Sequence, residues 1–443
     1  MISLTKPGPA ALAGLCVYHG MMGVISAGES TPTPPEERWS IHAQATSVSN
    51  GHGSFESPYQ GQNSLVPHEP LRTTYTATLF LGARLWRGAE VYVNPELSGG
   101  RGLSGSVGAA GFPNGEATRI GSPAPAVYLA RLFLRQSFDL TTDRETVEAA
   151  ANQLGGSRSR ENLTFTAGRI SAADIFDDNS YSHDARSQFM NWSLMGNGAW
   201  DYPADTRGYT WGVAMEWNLS AWAIRAGSFA VPTQANGARF DHRLFLAQGS
   251  VLELERRWQI QTHPGAARLL GYMNSAHMGS YENALNQPDP TDLVSTRSYR
   301  SKFGVALNLE QELTADVGAF SRIGWNDGQS ETWMFTEIDQ TATLGLSVRG
   351  ASWHRPDDRF GVAVAVNQLS SAHHRFLAAG GYGFIVGDGA LRYGPEQIIE
   401  TYYSIRICRG FYLSPGFQWI QHPGYNRDRG PVSIGVIRGH MEF

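Results

Sequence analysis

Hydrophobic and polar residues alternate with a period of two along most of the chain. The clearest stretch is Arg72 to Glu96. Tyr75, Ala77, Leu79, Leu81, Ala83 and Leu85 share one face, and Thr74, Thr76, Thr78, Phe80, Gly82, Arg84 and Trp86 share the other. Further on, Val91, Val93 and Pro95 alternate with Glu90, Tyr92, Asn94 and Glu96. Successive side chains of a strand point to opposite sides of its sheet, so this pattern predicts two strands. Arg87-Gly88-Ala89 is expected to be a three-residue hairpin loop with Gly88 at positive φ. That loop length pairs Trp86 with Glu90, Arg84 with Tyr92 and Leu85 with Val91. One face of the ribbon is apolar and the other charged. A soluble sheet would turn the apolar face to a core, and a membrane barrel would turn it to lipid and line a pore with the charged face.

The same alternation marks strands at 39–48, 72–86, 90–97, 127–138, 161–170, 208–217, 222–230, 247–259, 266–274, 300–312, 316–325, 341–353, 359–368, 396–407, 411–421 and 432–443. A seventeenth stretch, 187–200, alternates poorly and is set aside. The remaining sixteen make an even number, as single-chain bacterial barrels require. Short connections at 87–89, 218–221, 263–265, 313–315, 355–358 and 408–410 interleave with long ones at 49–71, 98–126, 171–207, 231–246, 275–299, 326–340, 369–395 and 422–431. A soluble α/β chain would not produce that rhythm. The connection 139–160 is long where a short turn is expected, and its ETVEAAANQL has a mildly helical pattern. The predicted fold is all-β: a closed antiparallel transmembrane barrel of 16 strands with short periplasmic turns and long extracellular loops. Trp217, Trp222 and Trp258 gather near short turns like an interfacial girdle. Trp86 and Trp353 lie nearby but fall on inner-face parity.

Composition agrees with this reading. Of 443 residues, 17% are charged, against about 25% in ordinary soluble domains. Lysine occurs only at Lys6 and Lys302, and the net charge of -5 provides no basic surface for nucleic acid. No apolar run is long enough for a membrane helix. Residues 1–27 are expected to be a signal peptide, with Lys6 ahead of the mostly apolar stretch Ala10 to Ile25 and small residues at Ser26-Ala27-Gly28. Residues 28–38 are expected to be a short flexible leader and 39–443 the barrel. Cys16 and Cys408 are the only cysteines. Loss of the signal would leave Cys408 alone, with no disulfide framework.

Catalytic motifs are absent. There is no G-x-S-x-G elbow, P-loop or H-E-x-x-H. Asp174, Asp177, Asp178 and Asp184 cluster with His183 in a long loop, where a solvated loop end is preferred over a calcium site because the spacing fits no EF-hand. What remains is a polar lining of both signs: Arg84, Glu90, Tyr92, Asn94 and Glu96 from the first hairpin, Arg131 and Arg135, Glu216 and Arg225, Asn308 and Glu310, Glu400 and Arg406, and Arg438. Arginine and carboxylate groups hydrogen-bond sugar hydroxyls, and opposed charges create a transverse field that disfavours bare ions. The same residues can instead pair with one another and stiffen the barrel.

The segments RTTYTATLFLGARLWRGAEVYVNPELSGGRGLSGSVGAAGFPNGEA (72–117), YLARLFLRQSF (128–138), FTAGRISAADIFDDNSYSHDARSQFMNWSLMGNGAWDYPADTRGYTWG (165–212) and HPGYNRDRGPVSIGVIRGHMEF (422–443) resemble the carbohydrate-selective porins of Gram-negative outer membranes. The resemblance implies a sixteen-stranded, monomer-like barrel that passes glucose and other small sugars by diffusion, with no cofactor and no turnover. It implies a constriction mixing arginine, glutamate and aromatic residues, best matched by Arg84, Glu90 and Glu96, then by Arg131, Arg169 and Glu216. Arg169 lies on the apolar parity of 163–167, so a bulge or the strand end must re-aim it. Loops 98–126 and 171–207 are the candidates to fold inward. Expected partners are small neutral carbohydrates, outer-membrane lipid, and the barrel-assembly machinery, since a last strand ending on Phe443 resembles its signal. The rival readings are a barrel enzyme, a plugged structural barrel and a soluble β-sandwich.

Overall fold

A computed structural model of the protein describes residues 36–117 and 123–443. The expected signal peptide and most of the leader lie outside the described residues. Sixteen antiparallel strands close one barrel: β1 (Trp39–His52), β2 (Arg72–Trp86), β3 (Ala89–Gly100), β4 (Ala126–Asp139), β7 (Asn162–Ile170), β8 (Thr210–Asn218), β9 (Trp222–Ala230), β10 (Gln248–Ile260), β11 (His263–Met278), β12 (Ser298–Thr314), β13 (Val317–Asn326), β14 (Gln340–Gly350), β15 (Arg355–Gln368), β16 (Glu396–Cys408), β17 (Phe411–Gln421) and β18 (Val432–Glu442). Each pairs with its neighbour in sequence, and β1 closes the ring on β18, with Gln44 opposite Glu442. All sixteen fall where alternation predicts them. The stretch 187–200 is loop.

Local geometry departs from simple alternation at several positions, among them three connections at the short-turn end. The first hairpin turns on two residues, Arg87 and Gly88, with Gly88 at φ +75°. A bulge at Leu85 takes up the extra residue, so Arg84 faces Glu90 and Gly82 faces Tyr92, not the predicted partners. The same bulge turns Trp86 outward, where it is 58% exposed and donates to Gln136. Trp353 ends a 3-10 turn and donates to Tyr403, so strand parity does not apply to it. Both tryptophans therefore join exposed Trp217 and Trp222 at the short-turn end. The third departure is ETVEAAANQL, which is not helical. Its first residues belong to a small hairpin of β5 (Arg144–Val147) and β6 (Gly156–Ser159), separate from the barrel sheet. The helical pattern loses to pairing across this connection.

Outward positions carry the exposed apolar band, including Leu252, Leu254, Leu269, Val305, Ile323, Leu344 and Ile399. The buried core is inside the barrel. Phe112 of the 101–125 connection and Phe189, Trp192 and Leu194 of the 171–209 connection pack against the inward Tyr402, Ile398 and Phe320. Two short helices, α1 (Tyr281–Leu285) and α2 (Ser371–Ala378), pack together at the long-loop end.

Candidate functional site in the lumen

The 171–209 connection is strung across the lumen by polar side chains of the inner wall. Glu400 accepts the amides of Met190 and Asn191, both at 2.9 Å. Arg438 donates to the carbonyls of Ala185 and Gln188 at 2.8 and 2.6 Å. Arg322 pairs with Asp177 at 3.1 Å and donates to Leu194 and Ser182 carbonyls. Asn308 also donates to Asp177, and Glu310 accepts the Ser180 amide at 2.6 Å. Buried backbone groups must find partners, and here the barrel wall supplies them. Asp177 is therefore a buried acceptor and not a solvated loop end, because the wall supplies Arg322 and Asn308 to meet it. Among the described residues, no group of three or more His, Cys, Asp or Glu side chains is arranged to hold a metal.

This arrangement brings charges of both signs to Glu96 on β3, which is 2% exposed. Its carboxylate accepts Thr78 at 2.6 Å, Arg186 at 3.0 Å, Tyr209 at 3.1 Å and the Tyr128 hydroxyl. Arg186 also reaches Glu116 of the 101–125 connection at 2.9 Å. Arg207 lies over the Tyr128 ring at 3.9 Å and donates to Ser98. Arg131 makes a two-pronged pair with Asp174 at 2.6 and 2.7 Å and lies 5.1 Å from the Tyr209 ring. Burial pushes the Asp174 carboxyl up, but the Arg131 guanidinium and the Ser171 amide outweigh it and hold it below the ordinary range. The Asp174 side chain is 34% exposed, against 14% for Arg131 and Arg186 and 9% for Glu116. Arg169 stands at the strand end beside Gly168 (φ +141°), donating to the Leu129 carbonyl at 2.8 Å and to Asp205 at 2.6 Å.

A second polar row crosses β8 to β12. Arg225 stands opposite Glu216 and Glu253, and Arg268 opposite Glu255 and Asn308. The contacts alternate in sign: Glu216 to Arg225 at 3.3 Å, Arg225 to Glu255 at 3.1 Å, Glu255 to Arg268 at 2.7 Å and Arg268 to Glu310 at 3.1 Å. Nearer the short turns, the 140–161 connection folds back onto the wall. Asn94 donates to Asn152 Oδ1 at 2.8 Å, Arg135 to the Asn152 carbonyl at 3.0 Å, and the Leu154 amide to the Tyr92 hydroxyl at 3.1 Å. Leu154 is 2% exposed. Arg84 pairs with Glu90 at 3.1 Å and with Glu36 at 2.8 Å.

A closed sixteen-strand barrel with an apolar exterior and two-signed polar rows inside is a diffusion channel in form. The family profile described as carbohydrate-selective porin, OprB family, matches residues 62–443. The chain belongs to this porin family. Among solved structures, the high-pH structure of Pseudomonas putida OprB is 16% identical with a TM-score of 0.71, covering 92% of this chain and 94% of that one. The low-pH structure of the same protein has a TM-score of 0.48 at 14% identity, covering 92% and 93%. The outer membrane channel DcaP of Acinetobacter baumannii has a TM-score of 0.49 at 10% identity, covering 91% and 97%. No curated protein matches the chain. The porin resides in the Gram-negative outer membrane and passes sugars passively, and its family and fold are those of a channel.

The residues singled out from the sequence fall into separate groups in this porin. Glu96, Arg131 and Arg169 meet in the Glu96–Arg186 constellation. Glu216, Arg225 and Glu310 belong to the alternating row. Arg84, Glu90, Tyr92, Asn94 and Arg135 lie at the short-turn end, where the folded-back connection covers them. Glu400 holds the lumen-crossing loop, and Arg406 pairs with Asp357 at 2.6 Å near the short-turn rim. Sequence reasoning missed Arg186, Arg207, Glu116, Tyr128, Tyr209, Glu253, Glu255 and Arg268. Glu253 and Glu255 had a usable signal, since they alternate with Leu252 and Leu254. Tyr128 did not, because a bulge at Ala130 reverses its parity relative to Arg131.

Proposed function

We propose that glucose-type mono- and oligosaccharides cross the porin past Arg131, Asp174, Arg186 and Arg207, then along the row from Glu216 to Glu310. The observation that carries this reading is the meeting of loop-borne and wall-borne charges at Glu96. Guanidinium and carboxylate groups fixed by mutual contacts present hydrogen-bonding edges at little reorganisation cost, which suits the hydroxyls of a neutral sugar. Their opposed signs give a free ion no uniform attraction. Each sugar exchanges one set of hydrogen bonds for the next, so binding is weak enough for release.

The barrel acts as a monomer in this reading, and no cofactor takes part. Phe443 is the contact for the assembly machinery: it is 73% exposed at the β1–β18 seam, where its backbone pairs with Ala43. Liposome swelling with a graded series of sugars, run on the porin and on Arg131→Ala and Arg186→Ala, tests the route. Sugar influx that is the same in both variants and the parent removes these residues from the path.

A further inference from the structure

The connection between β9 and β10 carries the most exposed apolar side chain of the described residues. Phe245 is 98% exposed, with Leu244 at 55% and Leu246 at 52%. A tight turn produces this display: the amides of Leu246 and Ala247 both donate to the Arg243 carbonyl, which throws the three side chains away from the protein. Arg239, His242 and Arg243 are exposed on the same connection.

The turn is fastened to the outer face of the barrel. On β12, Lys302 and Ala306 point into the lumen, whereas Phe303 and Val305 belong to the lipid band. Tyr299 shares the outward parity of Phe303. Its hydroxyl donates to Asp241 at 2.6 Å and accepts from Arg243 at 3.2 Å, and Arg243 lies 5.5 Å from its ring. His277, paired with Tyr299 in the sheet, meets it edge-on at 5.2 Å. The next row toward the membrane is Ser275 and Ser301, and the one after it Met273 and Phe303. This order, apolar, then small polar, then aromatic with cationic neighbours, is that of a membrane–water interface. The 244–246 tip is therefore fastened at the interfacial level of the barrel's outer face, beyond the edge of the apolar band.

We propose that Leu244-Phe245-Leu246 inserts into the outer leaflet of the membrane around the barrel, while Arg239, His242 and Arg243 bind phosphorylated lipid headgroups. Apolar side chains flanked by cations match a leaflet with acyl chains below and phosphate above. The Asp241 carboxylate, accepting from Tyr299 and the Arg243 amide, offsets one of these cations, and the second arginine leaves the tip net positive.

The test places a nitroxide on Phe245→Cys in a Cys16→Ser, Cys408→Ser full-length chain. Vesicles contain either lipopolysaccharide with phosphatidylethanolamine or phosphatidylcholine alone. Pro288→Cys, exposed on the β11–β12 connection, is the reference site. The expected result at position 245 is strong broadening by oxygen and loss of broadening by an aqueous nickel chelate, with the reverse at 288. The protection at 245 should be greater in the phosphorylated lipid, and Arg239→Gln with Arg243→Gln should remove that difference. Chelate access at 245 equal to that at 288 overturns the insertion. Spin–spin broadening that disappears on dilution with unlabelled porin also overturns it, in favour of a second copy. Equal protection in both lipids overturns the headgroup contact. Sugar influx is unchanged throughout, so the result stands apart from the sugar route.

Discussion

Arg186 places its Nη2 atom 3.0 Å from Glu96 Oε2, joining a loop that crosses the lumen to the barrel wall on β3. Glu96 is almost fully buried, so Arg186→Ala leaves a carboxylate without its main counter-charge. Breaking such a pair costs about 3–5 kcal/mol. The expected outcome is a porin that still folds as a barrel but has a disordered constriction, reduced discrimination among sugars, and a shift toward cation selectivity. Glu96→Gln should shift selectivity toward anions. Zero-current potentials across a salt gradient in planar bilayers read both signs, and shifts in the same direction would contradict the pairing.

Glu400 is expected to matter through the loop it holds. In Glu400→Ala the amides of Met190 and Asn191 lose their acceptor in a buried site, at about 1–3 kcal/mol each. The loop should then visit detached states, seen as open-channel noise and a higher mean conductance. A quiet trace with parental conductance would show that the remaining contacts at Arg322 and Arg438 suffice. Glu400→Gln keeps an acceptor and should show a smaller effect.

The strands were legible because a lipid-facing barrel must alternate along every strand, and the chain does so from β1 to β18. Register was less legible. One extra residue at Leu85 or Ala130 reverses the faces beyond it, and alternation alone does not locate the bulge. That is why Trp86 was expected inside and Tyr128 was not singled out. Wall-borne charges such as Glu96, Arg131 and Glu216 carry a parity signal. Loop-borne charges such as Arg186 and Arg207 carry none, since their placement depends on how the loop is pinned by Arg322, Glu400 and Arg438. The cluster at Asp177 illustrates the same limit: a run of acidic loop residues looks solvated until the wall residues that meet it are known.

The lipid face gives a direct stability test. Leu81 and Val93 are paired in register on β2 and β3, on the apolar parity. Leu81→Arg should destabilise the barrel by up to about 2–4 kcal/mol if its level is mid-bilayer. Urea titration of folding into vesicles measures this, and an unchanged midpoint would contradict the outward placement.

At the short-turn end, the folded-back connection should restrict the channel mouth. Leu154 is its buried anchor, and Leu154→Ala should weaken docking by about 2–5 kcal/mol. The expected result is faster proteolysis within 145–154 in vesicles open to protease on that side, with a larger single-channel conductance. Tyr92→Phe removes only the hydroxyl that accepts the Leu154 amide and should fall between the variant and the parent. Protease resistance equal to the parent in Leu154→Ala would assign the docking to Asn94 and Arg135 instead.

At the opposite end, α2 is held by a buried ionisable pair. His373 Nδ1 lies 3.0 Å from Asp339 Oδ2, with Lys302 Nζ 3.7 Å from the other oxygen and Glu337 3.7 Å from His373 Nε2. Tyr281 stacks on the imidazole at 4.3 Å. Burial pushes the Asp339 carboxyl up, but His373 and Lys302 prevail and bring it down to about 2. Burial likewise pushes His373 down, but Asp339 and Glu337 prevail and raise it. The histidine's contribution is complete below the ordinary value of about 6.5 and is lost as pH rises through the raised one; the aspartate's is complete above about 4 and is lost as pH falls through about 2. Docking of α2 should therefore be firmest between about pH 4 and 6.5. Protection factors of the amides in 371–378, taken relative to the base-catalysed intrinsic exchange rate at each pH, should be highest in that window and fall on its alkaline side. His373→Gln should abolish the alkaline fall in protection, and an unchanged pH profile of protection in that variant would assign the response to another group.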